Sequence, residues 1–260
     1  MLRYAISTVS FVLCCLCSLA QDLTLFEKYW FVKDGDSLPY RVLLPENYDA
    51  SKKYPLIYFL HGAGERGNDN EKQLTHGAKL FLKEDVRKNY PAIVVFPQWP
   101  RESFWSNVDI GRDSAGKFAF KFKEDGEPTK AMVLAQGLLK DLMQKYPVNK
   151  KQVYAGGLSM GGMGTFEIVR RNPKIFAAAF PICGGASPAT ADKLKKVEWW
   201  VFHGAKDDVV PQSCSDVMVE AFKKVKPPVR YTIYPEANHN SWDAAFAEPD
   251  LLVWLFSNKK

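Results

Sequence analysis

The feature that most constrains the fold is a set of short apolar runs with few polar interruptions. The first run, at residues 56–60, reads LIYFL, and comparable runs follow at 92–96, 152–155, 177–182, 199–202 and 229–234. Strands of this kind are buried on both faces, as in a parallel sheet that is covered by helices. The runs therefore predict the strands of such a sheet.

Helical patterns separate these runs. They cover residues 71–88, 129–145, 161–171, 213–224 and 242–256. Strands that alternate with helices indicate an α/β fold with right-handed crossovers and a mostly parallel central sheet. Nearer the N-terminus, two β-rich segments flank Asp34-Gly35-Asp36, which is typical of a hairpin turn. We expect one α/β domain over residues 21–260.

Residues 98–127 fit neither a helix nor a strand pattern. They contain Trp99, Trp105 and four phenylalanines among charges and glycines. A loop of this length in a compact domain usually has a function. We expect an aromatic-rich lid or pocket wall, in which the two tryptophans either stack on a substrate or cover the sheet.

The first 20 residues are expected to be a signal peptide. Arg3 precedes a short apolar segment, and Ser18-Leu19-Ala20 forms a small-x-small cleavage site. The apolar segment is short for a membrane span, which needs about 20 residues. We therefore predict a secreted or periplasmic protein without a stable membrane span. A retained anchor or a lipidated cysteine is the alternative.

Charge and cysteine content argue against a nucleic-acid-binding protein and against a metal-binding protein. The net charge of +6 is mild and is not concentrated in a basic block, whereas nucleic-acid grooves cluster Lys and Arg. We expect no nucleic-acid partner. Beyond residue 20 the cysteines are Cys183 and Cys214; two separate buried thiols are favoured over a disulfide. No Cys/His cluster has metal-site spacing, so we expect no metal and no cofactor.

Ser159 is the strongest candidate catalytic residue. It lies in VYAGGLSMGGMG (153–164), between a predicted strand and a predicted helix. Gly157-x-Ser159-x-Gly161 in that context is typical of a nucleophile elbow, in which flanking glycines allow a strained turn. The structural alternative is a glycine-rich loop.

A serine needs a base to act as a nucleophile at neutral pH. His239 follows the last predicted strand, where the order serine, acid, histidine requires it; its alternative role is to cap the next helix. His61 and His203 each end a strand in a His-Gly pair, and we expect them to bond loop backbone. His76 is expected to be a surface residue.

The acid and the oxyanion donors follow from the same strand order. The acid should follow the strand at 199–202, where Asp207 and Asp208 are adjacent, and spacing does not choose between them. One oxyanion donor should be the Met160 N–H, and the other should come from the loop at 61–67.

Four segments together resemble a group of secreted α/β-hydrolases. The segments are YPLIYFLHGAGERG (54–67), GGLSMGGMGT (156–165), HGAKDDVVP (203–211) and NHNSWD (238–243). The group is similar to feruloyl-esterase and polyhydroxybutyrate-depolymerase-like enzymes and to phospholipase/carboxylesterase-like proteins that are also labelled predicted peptidases.

The resemblance implies several roles. It implies Asp207 as the acid, with Asp208 as runner-up, and Ala63 as the second oxyanion donor, with Gly64 close behind. It also implies that Trp242 packs beside the site, with an ordinary core residue on a helix face as the alternative. The residues expected in the substrate pocket are Gly64, Trp99, Trp105 and Trp242. Residues 98–127 vary in such enzymes, so their role does not carry over.

The expected function is hydrolysis of carboxylic esters through an acyl-enzyme on Ser159. The resemblance and the predicted export suggest feruloyl or acetyl esters on plant polysaccharides. The alternatives are a serine peptidase of the same fold and a carbohydrate-binding or adhesion module that kept the fold. The sequence does not define the acyl group, the alcohol or the oligomeric state.

Overall fold

The computed structural model describes residues 22–100, 102–225 and 229–260; the predicted signal peptide lies outside these ranges. Strands make up its centre. In chain order they are β1 (Glu27–Lys33), β2 (Asp36–Leu43), β3 (Tyr54–Leu60), β4 (Ile93–Pro97), β5 (Val108–Arg112), β6 (Phe118–Phe122), β7 (Val148–Leu158), β8 (Ala178–Ile182), β9 (Glu198–Gly204) and β10 (Val229–Tyr234).

Eight of these strands form one sheet in the order β1-β2-β4-β3-β7-β8-β9-β10. β1 and β2 are antiparallel to their neighbours, and the strands from β4 to β10 in this order run parallel. The prediction of a mostly parallel sheet is therefore confirmed. The predicted β1–β2 hairpin is also present, with Asp34 and Gly35 at φ values of 52° and 83° in its turn.

Helices cover both faces of the sheet. In chain order they are α1 (Ala78–Phe81), α2 (Glu84–Asn89), α3 (Lys130–Lys145), α4 (Met160–Arg171), α5 (Ala191–Leu194), α6 (Ser213–Val225), α7 (Trp242–Ala247) and α8 (Leu251–Ser257). Apolar side chains of α3 to α6 pack in the core on one face, and those of α1, α2, α7 and α8 pack on the other. The core therefore lies in two layers, one on each side of the sheet.

Two segments that were predicted as single helices are interrupted, so these two predictions are wrong. The segment 71–88 is interrupted at Gly77, whose φ of 85° is left-handed and whose added Cβ would lie 2.7 Å from the Phe246 ring. It is interrupted again at Lys83, which is extended. The segment 242–256 divides into α7 and α8 around Pro249, which disfavours helical geometry in the residue before it.

Residues 98–127 are more regular than the sequence suggested. β5 and β6 pair antiparallel, with Ile110 opposite Phe120, and form a two-stranded sheet of their own. The signal was an alternation of Phe118, Phe120 and Phe122 with Ala119 and Lys121, which is the period of a half-buried strand.

None of the helices in the described ranges is long and apolar enough to cross a membrane.

Candidate active site

Ser159 lies at the sharp turn between β7 and α4. Its φ of 53° and ψ of −117° are strained for a residue with a side chain, at a cost of about 1–3 kcal/mol. A Cβ on Gly157 would lie 2.3 Å from the Gly161 carbonyl oxygen, and one on Gly161 would lie 1.9 Å from that of Leu60. The expectation that both positions require glycine is therefore confirmed sterically.

The turn brings Ser159 to His239, which follows β10. His239 Nε2 lies 3.0 Å from Ser159 Oγ, and its Nδ1 lies 2.8 Å from Asp207 Oδ2. Because a carboxylate only accepts, Nδ1 carries the proton, and Nε2 is left to accept the serine hydroxyl. The three side chains, the outermost of which are 80 residues apart in sequence, form one hydrogen-bonded chain.

Asp207 is the buried end of this chain. Its side chain is fully buried, and its Oδ1 also accepts the N–H groups of Val209 and Val210 at 3.0 and 2.9 Å. Burial acts to raise the pKa of Asp207, but hydrogen bonds from His203 and His239 and the charge of His239 hold this pKa well below its usual range. The carboxylate therefore stays ionised opposite the imidazole.

The structure places Asp207, and not Asp208, against His239. Asp208 is exposed, and its N–H donates to the Asn238 side chain at 3.1 Å. The same Asn238 oxygen accepts the His239 N–H at 2.6 Å. Asn238, which the sequence did not single out, thus connects the loop that carries Asp207 and Asp208 to the loop that carries His239.

Two other histidines support the loops around the site, as expected. His203 Nε2 lies 2.9 Å from the Val210 carbonyl oxygen and 3.4 Å from Asp207 Oδ2. Because a carbonyl only accepts, this nitrogen carries the proton. Nδ1 lies 2.7 Å from the Ser215 hydroxyl, which donates to the Gly184 carbonyl at 3.0 Å. His203 therefore holds the acid loop on β9.

His61 has the same role at the end of β3. Its Nε2 accepts the Trp99 N–H at 3.1 Å, so its Nδ1 donates to the Gly62 carbonyl at 2.6 Å. Burial lowers the pKa of His61 to about 4. The ring is therefore neutral at neutral pH and fixes the loop that carries Ala63.

The two residues expected to supply the oxyanion donors line the same cavity as Ser159. Ala63 begins a short 3-10 helix after β3, and Met160 is the first residue of α4. The first N–H groups of a helix lack intrahelical acceptors and favour negative charge. Arg66 Nε donates to the Ala63 carbonyl at 2.9 Å, which braces this loop.

A cavity of about 530 Å³ opens beside Ser159. Ser159, Ala63 and Met160 form its polar end. Its other walls are mostly apolar and are formed by Arg66, Phe104, Val108, Ile110, Phe118, Phe120, Met163, Val209 and Val210. The hairpin β5–β6 supplies one whole wall, so part of residues 98–127 forms a pocket wall.

Four residues that were expected in the substrate pocket lie elsewhere. Trp99 and Trp105 are 4% and 0% exposed, and Trp105 Nε1 donates to the His61 carbonyl at 3.1 Å. They cover the sheet beneath the site, since aromatic side chains suit a core as well as a pocket. Gly64 is exposed and is not among the cavity residues. Trp242 packs edge-on against His239, with ring centroids 5.4 Å apart, and does not line the cavity.

His76 makes more contacts than were expected of a surface residue. Its ring packs against Trp242 with centroids 4.9 Å apart, and its Nε2 lies 3.6 Å from Glu65 Oε1. Trp242 in turn contacts His239, so His76 and Glu65 are connected to His239 through Trp242.

Cys183 and Cys214 are separate free thiols, as favoured from the sequence, but only Cys183 is buried and Cys214 is half-buried. Burial raises the pKa of both. Potential ligand atoms of Cys183, Asp207 and His239 lie within 4.8 Å of one another. A metal ion there would have to displace the hydrogen bond between Asp207 and His239, so the arrangement fits the triad better than a metal site.

The strand order, the elbow and the hydrogen-bonded Ser159, His239 and Asp207 define an α/β-hydrolase. The chain belongs to the Esterase family, described as "Putative esterase", whose model matches residues 35–244.

Curated relatives and solved structures agree with this class. The chain is 24% identical over 172 residues to a "Probable feruloyl esterase C" of Aspergillus oryzae, covering 66% of this chain and 56% of that protein. It is 28% identical over 202 residues to an "Endo-1,4-beta-xylanase/feruloyl esterase" of Xylanibacter ruminicola, covering 75% of this chain and 26% of that protein. The crystal structure of a thermostable esterase superimposes with a TM-score of 0.81 at 32% identity, covering 91% of this chain and 64% of that one. The chain thus spans only part of each of these proteins.

Proposed function

We propose that this chain is a serine carboxylesterase in which Ser159, His239 and Asp207 act as a catalytic triad. The observation that carries the proposal is the hydrogen-bonded chain from Asp207 through His239 to Ser159 Oγ at the polar end of an apolar cavity. Membership of the Esterase family supports an ester rather than an amide as substrate.

The proposed mechanism follows from the proton on His239 Nδ1, from the free His239 Nε2 and from the two expected oxyanion donors. Ser159 Oγ attacks the ester carbonyl carbon while its proton passes to His239 Nε2, and the N–H groups of Ala63 and Met160 stabilise the oxyanion. The alcohol leaves with that proton, and the acyl group stays on Ser159. Water then attacks the acyl carbonyl carbon while His239 takes its proton; the bond from Ser159 Oγ to the acyl carbon breaks, the acid leaves, and His239 returns the proton to Ser159 Oγ. Asp207 holds the imidazole in place and stabilises the imidazolium in both half-reactions.

The cavity is assigned to the acyl group. Ser159 and both oxyanion residues line it, whereas His239 is not among the described residues that do so. Because His239 has to protonate the departing alcohol, the alcohol lies on the histidine side and the acyl group on the cavity side. An acetyl group would fill a small part of about 530 Å³, so the cavity favours larger apolar or aromatic acyl groups.

Esters on plant polysaccharides are the proposed natural substrates, with feruloyl favoured over acetyl groups. The names of the relatives and the aromatic wall at Phe104, Phe118 and Phe120 support this choice. Export by a signal peptide at residues 1–20 would place the enzyme with such substrates, and it remains part of the proposal.

The test is hydrolysis of a small panel by the chain from Gln21 onward, with Ser159→Ala as the matched control. The panel holds an aryl acetate, an aryl butyrate, methyl ferulate, acetylated xylan and an aminoacyl anilide. We expect kcat/KM to be highest for methyl ferulate or aryl butyrate, and no turnover by the variant. Cleavage of the anilide alone would replace the esterase by a peptidase, and equal activity in both proteins would remove Ser159 as the nucleophile.

A further inference from the structure

The hairpin β5–β6 forms the cavity wall but has little support from the main sheet. Its two strands pair with each other and with no other strand of the described ranges. An isolated two-stranded hairpin is marginally stable in water. Its position over Ser159 must therefore be set by the segments that attach it to the rest of the molecule.

One face of the hairpin is apolar and the other is polar. Ile110 and Phe120 are cross-strand partners, and both line the cavity together with Val108 and Phe118. The alternating positions Asp109, Ala119 and Lys121 are exposed. A tilt of the hairpin would therefore change the shape of the cavity without touching the triad.

A cluster of charged residues on α4 holds the segment that leaves the hairpin. Arg170 Nη1 donates to the Glu124 carbonyl at 3.0 Å, and Arg171 Nη2 donates to the Gly126 carbonyl at 2.8 Å. Both arginines are fixed by Glu167, whose carboxylate accepts Arg170 Nη2 at 2.8 Å and Arg171 Nε at 2.6 Å.

This cluster is unusually well buried for charged side chains. The exposed fractions of the Glu167, Arg170 and Arg171 side chains are 7%, 8% and 14%. Buried ion pairs of this kind are costly to desolvate, and they are maintained only with good geometry and further hydrogen bonds. The planar guanidinium groups satisfy that condition, because each binds the carboxylate and a loop carbonyl together.

The cluster is too far along α4 to take part in the reaction. Glu167 follows Met160 by seven residues, which corresponds to about 10 Å along the helix axis. Any influence of the cluster on substrate therefore acts through the hairpin that it holds.

We propose that Glu167, Arg170 and Arg171 are positioning residues that hold the β5–β6 hairpin over Ser159 and so determine the preference for large apolar acyl groups. This inference rests on the proposed esterase function. Small acyl groups do not need the hairpin wall, whereas large acyl groups pack against it. The cluster thus affects discrimination between acyl groups and leaves the chemical step unchanged.

Two variants test the proposal in the full catalytic chain. Arg171→Met removes the contact to Gly126 and leaves Glu167 paired with Arg170. The triple variant Glu167→Gln/Arg170→Met/Arg171→Met removes both contacts to the hairpin segment without leaving an unpaired buried charge. Arg230→Met is the matched control, because Arg230 lies on β10 and contacts Trp200 and Asp250, away from the cavity.

The activity readout is kcat and KM for p-nitrophenyl acetate and p-nitrophenyl octanoate. We expect KM for the octanoate to rise about tenfold in the triple variant, with a smaller rise in Arg171→Met, because misfit in an apolar pocket is worth that order of discrimination. The acetate parameters and the Arg230→Met control should match the wild type. Equal losses on both esters, or an unchanged ratio between them, would overturn the proposal.

Limited trypsin digestion gives a second readout that does not depend on activity. Cleavage after Lys117 and Lys121 in the hairpin, followed by mass spectrometry, should be faster in the triple variant than in wild type and control, because cleavage tracks local opening. Equal cleavage rates would show that the cluster does not hold the hairpin. If wild type hydrolyses no ester, the proposed function fails, and the digestion still tests the cluster.

Discussion

At the scale of single residues, the acid loop shows how neighbouring aspartates acquire different roles. Asp207 is buried and receives backbone N–H groups and an imidazole, whereas Asp208 faces solvent. The sequence alone left the two open because they are adjacent on one loop, and only the resemblance favoured Asp207. The direction of each side chain depends on the bonds between the loop and Asn238, which join distant parts of the chain.

The different surroundings of the two aspartates lead to different mutant phenotypes. We expect Asp207→Asn to lower kcat by about 10³- to 10⁴-fold, because the imidazole loses its fixed tautomer and its counter-charge. Asp208→Asn, the matched control, should keep kcat near the wild-type value. Steady-state kinetics on an aryl ester measures both, and a larger loss in Asp208→Asn would reverse the assignment.

His61 predicts a specific pH dependence of stability. Burial lowers its pKa to about 4 in the folded state, so the unfolded chain binds a proton first as the pH falls. This residue therefore costs stability as the pH drops below about 6.5, and the loss levels off below the folded pKa. Between about pH 7.5 and 4.5 it should lower the free energy of unfolding by about 2 kcal/mol.

The variant His61→Gln isolates this contribution. Its side-chain oxygen can accept the Trp99 N–H but does not titrate. Urea unfolding at several pH values should show a smaller decline in stability for the variant than for the wild type. Parallel declines would mean that other groups cause the pH dependence.

At the scale of secondary-structure elements, the turn between β7 and α4 depends on close backbone approach. A Cβ on Gly161 would meet the Leu60 carbonyl oxygen, which belongs to the strand beside β7 and cannot move freely. The GxSxG pattern predicted this element correctly, because its glycines reflect local geometry. The hairpin β5–β6 was missed although Phe118, Phe120 and Phe122 alternate with Ala119 and Lys121, because charges and glycines surround these residues and its strands pair only with each other in the described ranges.

The close approach at Gly161 predicts a severe stability loss. We expect Gly161→Ala to lower the free energy of unfolding by about 3 kcal/mol or more, as in other overpacked sites. Gly64→Ala, where an added Cβ would meet no atom within 4 Å, should change it by less than about 0.5 kcal/mol. Denaturant unfolding of both variants measures the difference, and similar values would contradict the steric account.

At the scale of the whole molecule, the parallel sheet brings the site together. Ser159, Asp207 and His239 follow β7, β9 and β10, and Ala63 follows β3. Because these strands run parallel, their carboxyl ends lie on one edge of the sheet. The sequence therefore predicted which loops meet. It left open whether Trp99 and Trp105 contact a substrate or cover the sheet, since burial of an aromatic residue depends on the complete packing around it.

The proposed mechanism depends on Ser159 as a nucleophile that His239 activates. Its most direct test is mass spectrometry of the protein after reaction with an alkyl fluorophosphonate, which forms a stable adduct with activated serines. We expect one adduct, on the peptide that contains Ser159, with loss of esterase activity in proportion to labelling. The adduct should be absent in Ser159→Ala and should form far more slowly in His239→Ala. An adduct on another residue that abolishes activity, or full activity with Ser159 labelled, would contradict the assignment of Ser159 as the nucleophile.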